Sequence, residues 1–298
     1  MHYKLNDLSL TRVDYMTLPV PAELVGLSKA LVKSVSWADA PWVENDQVVI
    51  SAAAWFLEVD GKRVVLDPVQ AVDALLRADS DSELLHQNEI GKKFAESGFD
   101  VASIDWVLMT HIEGVGMVAR REKEQWAPYF PNAKILISDV QLEAFNKMEM
   151  DHDDPTHQCW LALIDQGAIE TYADGEELWP GVVAEVTGYH CEGHSVFRFN
   201  GGELTFMGHL AVSPVHMATG PCEALNENAD KSFEALHRVA SDGRQMIGPL
   251  WPAPGIGRWT TNGFEGSLSA EGSLSAEGSL SAEGSLSAEG SLLAEGSS

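Results

Sequence analysis

The chain has 298 residues, 45% of them hydrophobic, which is enough for one large α/β domain with a sizeable core and not typical of a disordered protein. Its net charge of −26 disfavours nucleic acids and anionic membranes as partners. No apolar run reaches the roughly 18 residues that a membrane-spanning helix needs, and no secretory signal is evident at residues 1–6. With three cysteines, an odd count, a disulfide framework is not expected, and we expect a cytoplasmic protein.

The first half of the chain reads mainly as strands. Residues 1–45 carry prolines among scattered apolar residues, and we interpret them as an N-terminal extension that packs on a domain of residues 46–264. The pattern of residues 48–66 predicts a β-hairpin that turns at Asp60-Gly61. Further patterns predict a helix over 83–98, strands at 104–109 and 134–138, and a helix from Asp139 to about Met148.

Helices and strands alternate in the second half. A polar loop at 149–158 enters a short helix near Cys159. The pattern then predicts strands at 182–186, 195–199 and 203–207, a helix at 233–239 and a final strand at 245–248. Early strands followed by interleaved helices favour two sheets packed face to face with helices outside.

Residues 265–298 form an acidic tail in which Glu-Gly-Ser-Leu-Ser-Ala recurs every six residues. With one leucine per unit it cannot bury a core of its own, so disorder in the free chain is the simplest interpretation. The alternative is an arm that orders against a neighbouring subunit and makes the protein a homo- or hetero-oligomer. The contacts would come from Leu268, Leu274, Leu280, Leu286 and Leu292.

Three polar segments follow predicted strands. The first reads Thr110-His111-Ile112-Glu113, in which His111 and Glu113 are two residues apart and share a face of an extended strand end. The second reads Gly188-Tyr189-His190-Cys191-Glu192-Gly193-His194, and the third is Gly208-His209. Leu66-Asp67-Pro68 ends the predicted hairpin.

This series resembles the metallo-β-lactamase superfamily, in which Thr-His-x-His-x-Asp-His ends a strand and Gly-His-x-x-Gly-His and Gly-Asp turns follow. Asp67 stands where the family has Asp-Thr-Gly, and Trp251-Pro252-Ala253-Pro254-Gly255 resembles the family's closing His-Phe-Pro-x-Pro-Gly segment. The resemblance covers about residues 45–260 and implies a four-layer αββα sandwich of the α/β class.

The resemblance also implies a first metal site made of His111, Glu113, His190 and His209. Glu113 replaces the family's second histidine, and His209 replaces its bridging aspartate. Three imidazoles and one carboxylate suit zinc, with iron or manganese as alternatives. Glu113 and His209 are also the candidates for a direct catalytic role.

The family's second metal site is missing its donors. The matching positions fall on Val115, Gly116 and, near the closing segment, Leu250, whose side chains cannot bind a metal. We therefore expect one divalent metal per chain.

Two functions follow from this pattern. The first is a mononuclear hydrolase that uses metal-activated water on an ester, lactone, thioester or activated aryl ether, such as a nitroaryl methyl ether. The second is a non-catalytic subunit of a hetero-oligomeric hydrolase, in which the metal motif is vestigial. The missing second-site donors favour the second function, whereas the complete first site favours the first.

The side chains near the motifs allow two interpretations each. Gly193-His194 is expected to have a structural role in its turn, through hydrogen bonds to backbone. Trp126, Tyr129, Phe130 and Trp160 are candidate pocket walls for an aromatic small-molecule substrate, and core packing explains them equally well.

Overall fold

The computed structural model contains two large β-sheets with helices on their outer faces. Strands β1–β17 span His2–Leu5, Leu8–Pro21, Val43–Glu44, Gln47–Val59, Lys62–Leu66, Trp106–Leu108, Ala119–Glu122, Gln125–Pro128, Lys134–Ser138, Ile169–Tyr172, Glu177–Trp179, Val182–Val186, Ser195–Phe199, Leu204–Phe206, Gln245–Ile247, Ile256–Thr260 and Gly263–Gly266. The structure describes residues 1–68, 90–112, 118–122, 125–149, 154–200, 203–219 and 229–266.

The helices are short and lie between these strands. They span Lys29–Ser34, Asp139–Lys147, Pro155–Asp165, His216–Thr219 and Ala229–Ala240, with 3-10 turns at Ala22–Val25, Val101–Ser103 and Gly208–Ala211. Of the helix predicted over 83–98, residues 90–96 are helical, and 83–89 lie outside the described residues. No helix in the described ranges is long and apolar enough to cross a membrane.

The first sheet has the order β1-β2-β4-β5-β6-β9-β10, with β3 paired to β4. The predicted hairpin is formed by β4 and β5, with Trp55 opposite Leu66 and Val59 opposite Lys62. Strands β5, β6 and β9 are parallel. Their carboxyl ends therefore meet at one edge of the sheet, which brings the residues after Leu66 close to those after Leu108.

The structure differs from our interpretation of residues 1–45 as an extension, because His2–Leu5 and Leu8–Pro21 are strands of the first sheet. β1 and β2 form a hairpin, and β2 pairs with β4 from Ser9 opposite Glu58 to Pro21 opposite Gln47. The two prolines near the end of β2 obscured this strand in the sequence. Proline is compatible with strands only where its missing N–H is not needed.

The second sheet contains β11 to β17 in chain order, all antiparallel except for the pair β14 and β15. β12 and β13 have the predicted bounds, whereas β14 and β15 are slightly shorter than predicted. β16 and β17 were not predicted. β17 includes the first two residues of the predicted tail, and residues 267–298 lie outside the described residues.

Alternate residues of each strand face different layers, which is how the four layers are held together. Leu66 and Leu108 of the first sheet pack against Phe197 and Phe206 of the second. Val65, on the other face, belongs to a second cluster with the helices that cover the first sheet. A third cluster covers the outer face of the second sheet. The αββα arrangement predicted from the resemblance is thus confirmed.

A buried arginine joins β2 to the segment that follows β15. The side chain of Arg12 donates to Asp14 Oδ1 through Nε at 2.9 Å and to the Trp251 carbonyl at 2.5 Å, and its guanidinium lies 5.3 Å from the ring centroid of Trp55. Gly255, at φ +69°, allows this approach, because a Cβ there would lie 1.5 Å from Arg12 Nη1. The hydrogen bond from Arg12 to the Trp251 carbonyl therefore links two segments that are distant in the chain, and the ion pair with Asp14 holds Arg12 in place.

Asp14→Ala is expected to lower the free energy of unfolding by about 3 kcal/mol, because it leaves the buried Arg12 charge without its carboxylate. Chemical denaturation would measure this. Glu58→Ala, which breaks the exposed pair with Arg63, is the control and should cost less than about 1 kcal/mol. Equal losses in the two variants would contradict the role assigned to Arg12.

Candidate metal centre

His111 follows β6 at the edge where the parallel strands end, and a buried carboxylate holds its backbone. Asp67, directly after β5, is 4% exposed. Its carboxylate accepts hydrogen bonds from the Thr110 backbone N–H at 2.7 Å and from the Thr110 hydroxyl at 2.5 Å. Asp67 N–H in turn donates to the Leu108 carbonyl at 3.0 Å. These bonds place His111 at a fixed point of the edge.

The same contacts determine the tautomer of His111. Its Nδ1 lies 3.0 Å from Thr110 Oγ1. Because the single hydroxyl proton of Thr110 is donated to the Asp67 carboxylate, we assign the proton of this contact to His111 Nδ1. The lone pair is then on Nε2, the atom that faces His190. A histidine that binds metal through one nitrogen normally donates from the other in this way.

His190 lies in the loop after β12, at φ +83°. Two helices hold this loop. His190 N–H donates to Ser232 Oγ at 3.2 Å, and Ser138 Oγ donates to the Gly193 carbonyl at 2.7 Å. Gly193 packs closely on the helix Asp139–Lys147: a Cβ on Gly193 would lie 2.4 Å from the backbone nitrogen of Gln141. The loop is therefore rigid where it presents His190.

His209 is contributed by the 3-10 turn Gly208–Ala211, which follows β14. Gly208, at φ +52°, lies against the residues that support the other histidines. A Cβ on Gly208 would be 2.6 Å from Thr110 Oγ1 and 2.8 Å from His194 Nε2. The absence of a side chain at this position brings His209 beside His111.

Three of the four predicted ligands converge. The ligand atoms of His111, His190 and His209 all lie within 4.8 Å of one another. The Nε2 atoms of His111 and His190 are 3.3 Å apart. Two nitrogens bound to one tetrahedral zinc at about 2.05 Å would be separated by about 3.3 Å, so the donor set fits such an ion. Glu113 lies outside the described residues.

Burial keeps the imidazoles of His111 and His209 neutral. It lowers the pKa of His209 to about 4. It also lowers the pKa of His111 well below 6.5, and the charges of His190, His209 and His194 lower it further. A metal needs the unprotonated ring nitrogen, so the cluster has its lone pairs available at neutral pH.

His194 is buried in the turn that follows His190. Its carbonyl accepts from the N–H groups of Thr187 at 2.8 Å and Gly188 at 3.1 Å, and its Nδ1 lies 3.0 Å from Thr187 Oγ1. Its Nε2 is buried and has no hydrogen-bond partner among the described residues. Sequence reasoning found the histidines but gave no role to Thr110 or Thr187, whose hydrogen bonds depend on the fold.

The predicted pocket walls belong mostly to the core. Tyr129, Phe130 and Trp160 are buried in the cluster beneath the helices of the first sheet. Trp126 is half-buried and lies 4.9 Å from the guanidinium of Arg121. Core packing is therefore the better of the two interpretations for these aromatic residues.

Comparison with known proteins identifies the architecture. No protein-family model matches the sequence, and no curated protein matches it. Among solved structures, the hydrolase AbOPH of the β-lactamase superfamily is similar, with a TM-score of 0.68 and 17% identity over 91% of this chain and 98% of that one. The chain has the metallo-β-lactamase fold.

Two further structures with this fold are similar to the chain. The dizinc quorum-quenching lactonase AidC has a TM-score of 0.67 and 16% identity over 89% of this chain and 95% of that one. A probable metal-dependent hydrolase from Staphylococcus aureus has a TM-score of 0.66 and 13% identity over 91% and 99%. Identities this low establish the fold of the chain and not its reaction.

One of the positions matched to the family's second metal site lies within the described residues. Leu250, at the position of the family's last histidine, is 5% exposed and packs in the apolar cluster outside the second sheet. Val115 and Gly116 lie outside the described residues. Their side chains offer no donor in any conformation.

Gly208→Ala is expected to weaken metal binding at least about tenfold, because its Cβ would displace the turn that carries His209. Competitive chelator titration would measure the affinity. Gly188→Ala is the matched control: it also has positive φ, but its Cβ would meet nothing within 4 Å. Similar affinities in the two variants would contradict the packing argument.

Thr110→Val should weaken metal binding by about 10–100-fold, because it removes the hydroxyl between Asp67 and His111 while keeping the side-chain shape. The same titration applies. Thr187→Val, which removes the corresponding hydroxyl beside His194, should have a smaller effect. A larger loss in Thr187→Val would mean that His194, and not His111, is oriented for the metal.

The metal-free protein should lose stability as the pH falls from 6.5 towards 4. Below 6.5 the unfolded chain protonates His209, whereas the folded chain resists protonation until its pKa of about 4. At pH 5 this amounts to about 2 kcal/mol for His209 alone. Denaturation at pH 7.5 and pH 5 would measure it, and His209→Gln should show a correspondingly smaller pH dependence. An identical pH dependence in the variant would refute the claim.

Proposed function

We propose that the chain is a mononuclear metal-dependent hydrolase acting on an ester, lactone, thioester or activated aryl ether. The observation that carries this proposal is the convergence of the imidazoles of His111, His190 and His209 at the carboxyl edge of the sheets, where His111 and His209 are buried and His190 is partly buried. Three histidine ligands with a position left open are typical of catalytic and not structural zinc sites.

His111, His190 and His209 would hold the ion, and Glu113 is proposed as a further donor. A divalent ion bound there would lower the pKa of coordinated water and polarise the reacting group of the substrate. Asp67 and Thr110 keep His111 in the tautomer that presents Nε2. Burial removes bulk water from around the imidazoles, which strengthens their interaction with the ion.

We propose zinc as the metal, with iron or manganese as alternatives, and one ion per chain. Imidazole nitrogens bind all three metals, so the donor set alone does not select among them. The single ion follows from the missing second-site donors. AidC, which has a similar fold, is described as a dizinc lactonase, so the proposal predicts a difference in metal content between two similar architectures.

Metal analysis and hydrolysis assays on the purified chain test the function. We expect about one equivalent of metal, and hydrolysis of 4-nitrophenyl esters that a chelator abolishes. His209→Ala should lose both, because a ligand is removed. His237→Ala, which changes a half-buried histidine of the helix Ala229–Ala240, is the control and should keep both.

The same measurements decide between the two functions considered from the sequence. A chain that binds no metal would be a non-catalytic subunit with a vestigial motif. A chain that binds two equivalents would show that donors outside the predicted set complete a second site. Bound metal without hydrolysis of any ester, thioester or lactone tested would contradict the hydrolase proposal while leaving the metal site intact.

A further inference from the structure

The negative charge of this protein is not confined to its tail. The chain has 45 acidic and 19 basic residues, and the six glutamates of the repeat leave 39 acidic residues against the same 19 basic ones in residues 1–264. The domain that carries the histidine triad (His111, His190 and His209) is therefore itself strongly acidic. A net charge of this size produces a potential that acts on charged ligands before they make contact.

Many of the basic side chains are already neutralised by carboxylates. At least nine of those in the described ranges lie within 4.0 Å of a carboxylate oxygen. They are Arg12, Lys33, Arg63, Arg120, Lys134, Lys147, Arg198, Arg238 and Arg244. These cations are not available to bind an anionic ligand without first breaking an ion pair. The unpaired charge on the surface is thus predominantly negative.

The loops of the triad carry acidic residues as well. Glu192 is exposed and lies between His190 and His194. Asp139 is exposed at the start of the helix against which this loop packs. Lys147, at the other end of that helix, is bound to Glu143 at 2.6 Å, and the charge of Glu192 also contributes to raising the pKa of Lys147. Two exposed carboxylates therefore lie on the loop that carries His190 and on the helix beside it, and the Lys147 ammonium of that helix is already paired.

We propose that the triad serves substrates that are uncharged or cationic, and that it discriminates against substrates bearing a carboxylate or a phosphate. The inference rests on the proposed hydrolase function and names the substrate class of that site. An anionic substrate is repelled by the field during its approach, whereas a cationic substrate is attracted and a neutral one is unaffected.

Three esters that share the 4-nitrophenyl leaving group and differ in the charge of the acyl part test this proposal. They are the neutral butyrate, the anionic hemisuccinate and the cationic 4-(trimethylammonio)butyrate, assayed on the zinc-loaded protein and each normalised to its hydroxide-catalysed rate. At low ionic strength, kcat/KM should be lowest for the hemisuccinate, by about tenfold or more. The difference in kcat/KM between the hemisuccinate and the other two esters should shrink in 0.5 M salt, because the Debye screening length of the solution falls below about 10 Å. A hemisuccinate rate equal to or above the others, or a ratio unaffected by salt, would overturn the proposal.

Two variants, each of which neutralises one carboxylate, test whether the charge preference arises beside the triad. Glu192→Gln removes one charge from the loop that carries His190. A charge on the order of 10 Å away in water changes the rate of each charged ester by about twofold in opposite directions, so the cationic-to-anionic ratio should narrow by about fourfold. Asp60→Asn removes the same charge from the exposed turn between β4 and β5. That turn is at the opposite end of β5, about 13 Å or more along the strand, so it should leave the ratio nearly unchanged. An equal effect of both variants would argue against local discrimination at the triad.

A binding measurement separates this proposal from the hydrolase proposal. Hydroxamates with the same three charges can be titrated into the cobalt-loaded protein and followed by the visible absorption of the ion. If no ester is hydrolysed, the hydrolase proposal fails, yet the order of hydroxamate dissociation constants still decides the charge preference. Tightest binding of the cationic probe and weakest binding of the anionic probe, with a difference that salt reduces, supports the inference. The reverse order rejects it.

Discussion

The buried carboxylate of Asp67 is the constraint on which the metal centre depends. A charged group inside a protein is costly unless it is hydrogen-bonded, and each oxygen of the Asp67 carboxylate accepts a hydrogen bond from Thr110, one from the backbone N–H and one from the hydroxyl. Those bonds connect the ends of two parallel neighbours, β5 and β6. The hydroxyl can then only accept from His111, which determines which nitrogen of that ring faces the other histidines. The orientation of the triad thus begins with a residue that is not a ligand.

The strands predicted correctly from the sequence are those with a distinctive pattern of apolar and turn residues within a few positions. The β4–β5 hairpin has a turn residue pair between apolar runs, and β9, β12 and β13 have short apolar runs with clear ends. β17 has no such signal. Its Gly263 is needed because a Cβ would lie 2.2 Å from the Trp37 ring, a contact between residues far apart in the chain. Such strands are specified by tertiary packing, which short windows of sequence do not contain.

The candidate site likewise has features that the sequence predicts and features that only the folded structure determines. Motif spacing located His111, His190 and His209, because ligands at strand ends follow each other in a recognisable order. The aromatic residues were ambiguous, since a tryptophan such as Trp160 has the same propensity in a core as in a pocket wall. The structure shows Trp160 to be completely buried. The identity of the candidate metal ligands depends on residue type and was therefore predictable from the sequence. The exposure of the aromatic side chains and the direction of the hydrogen bonds depend on the fold and were not.

The histidine at position 209 also changes the electrostatics of the centre. The family's aspartate there would add a second buried anion near Asp67, which the metal-free protein would have to accommodate at a high cost in desolvation. A neutral imidazole avoids this cost, so the cluster can form in an acidic protein before any ion binds. An ion held by three imidazoles would also keep more of its positive charge than one held by an aspartate. In the proposed hydrolase, more residual charge would then remain to polarise a substrate.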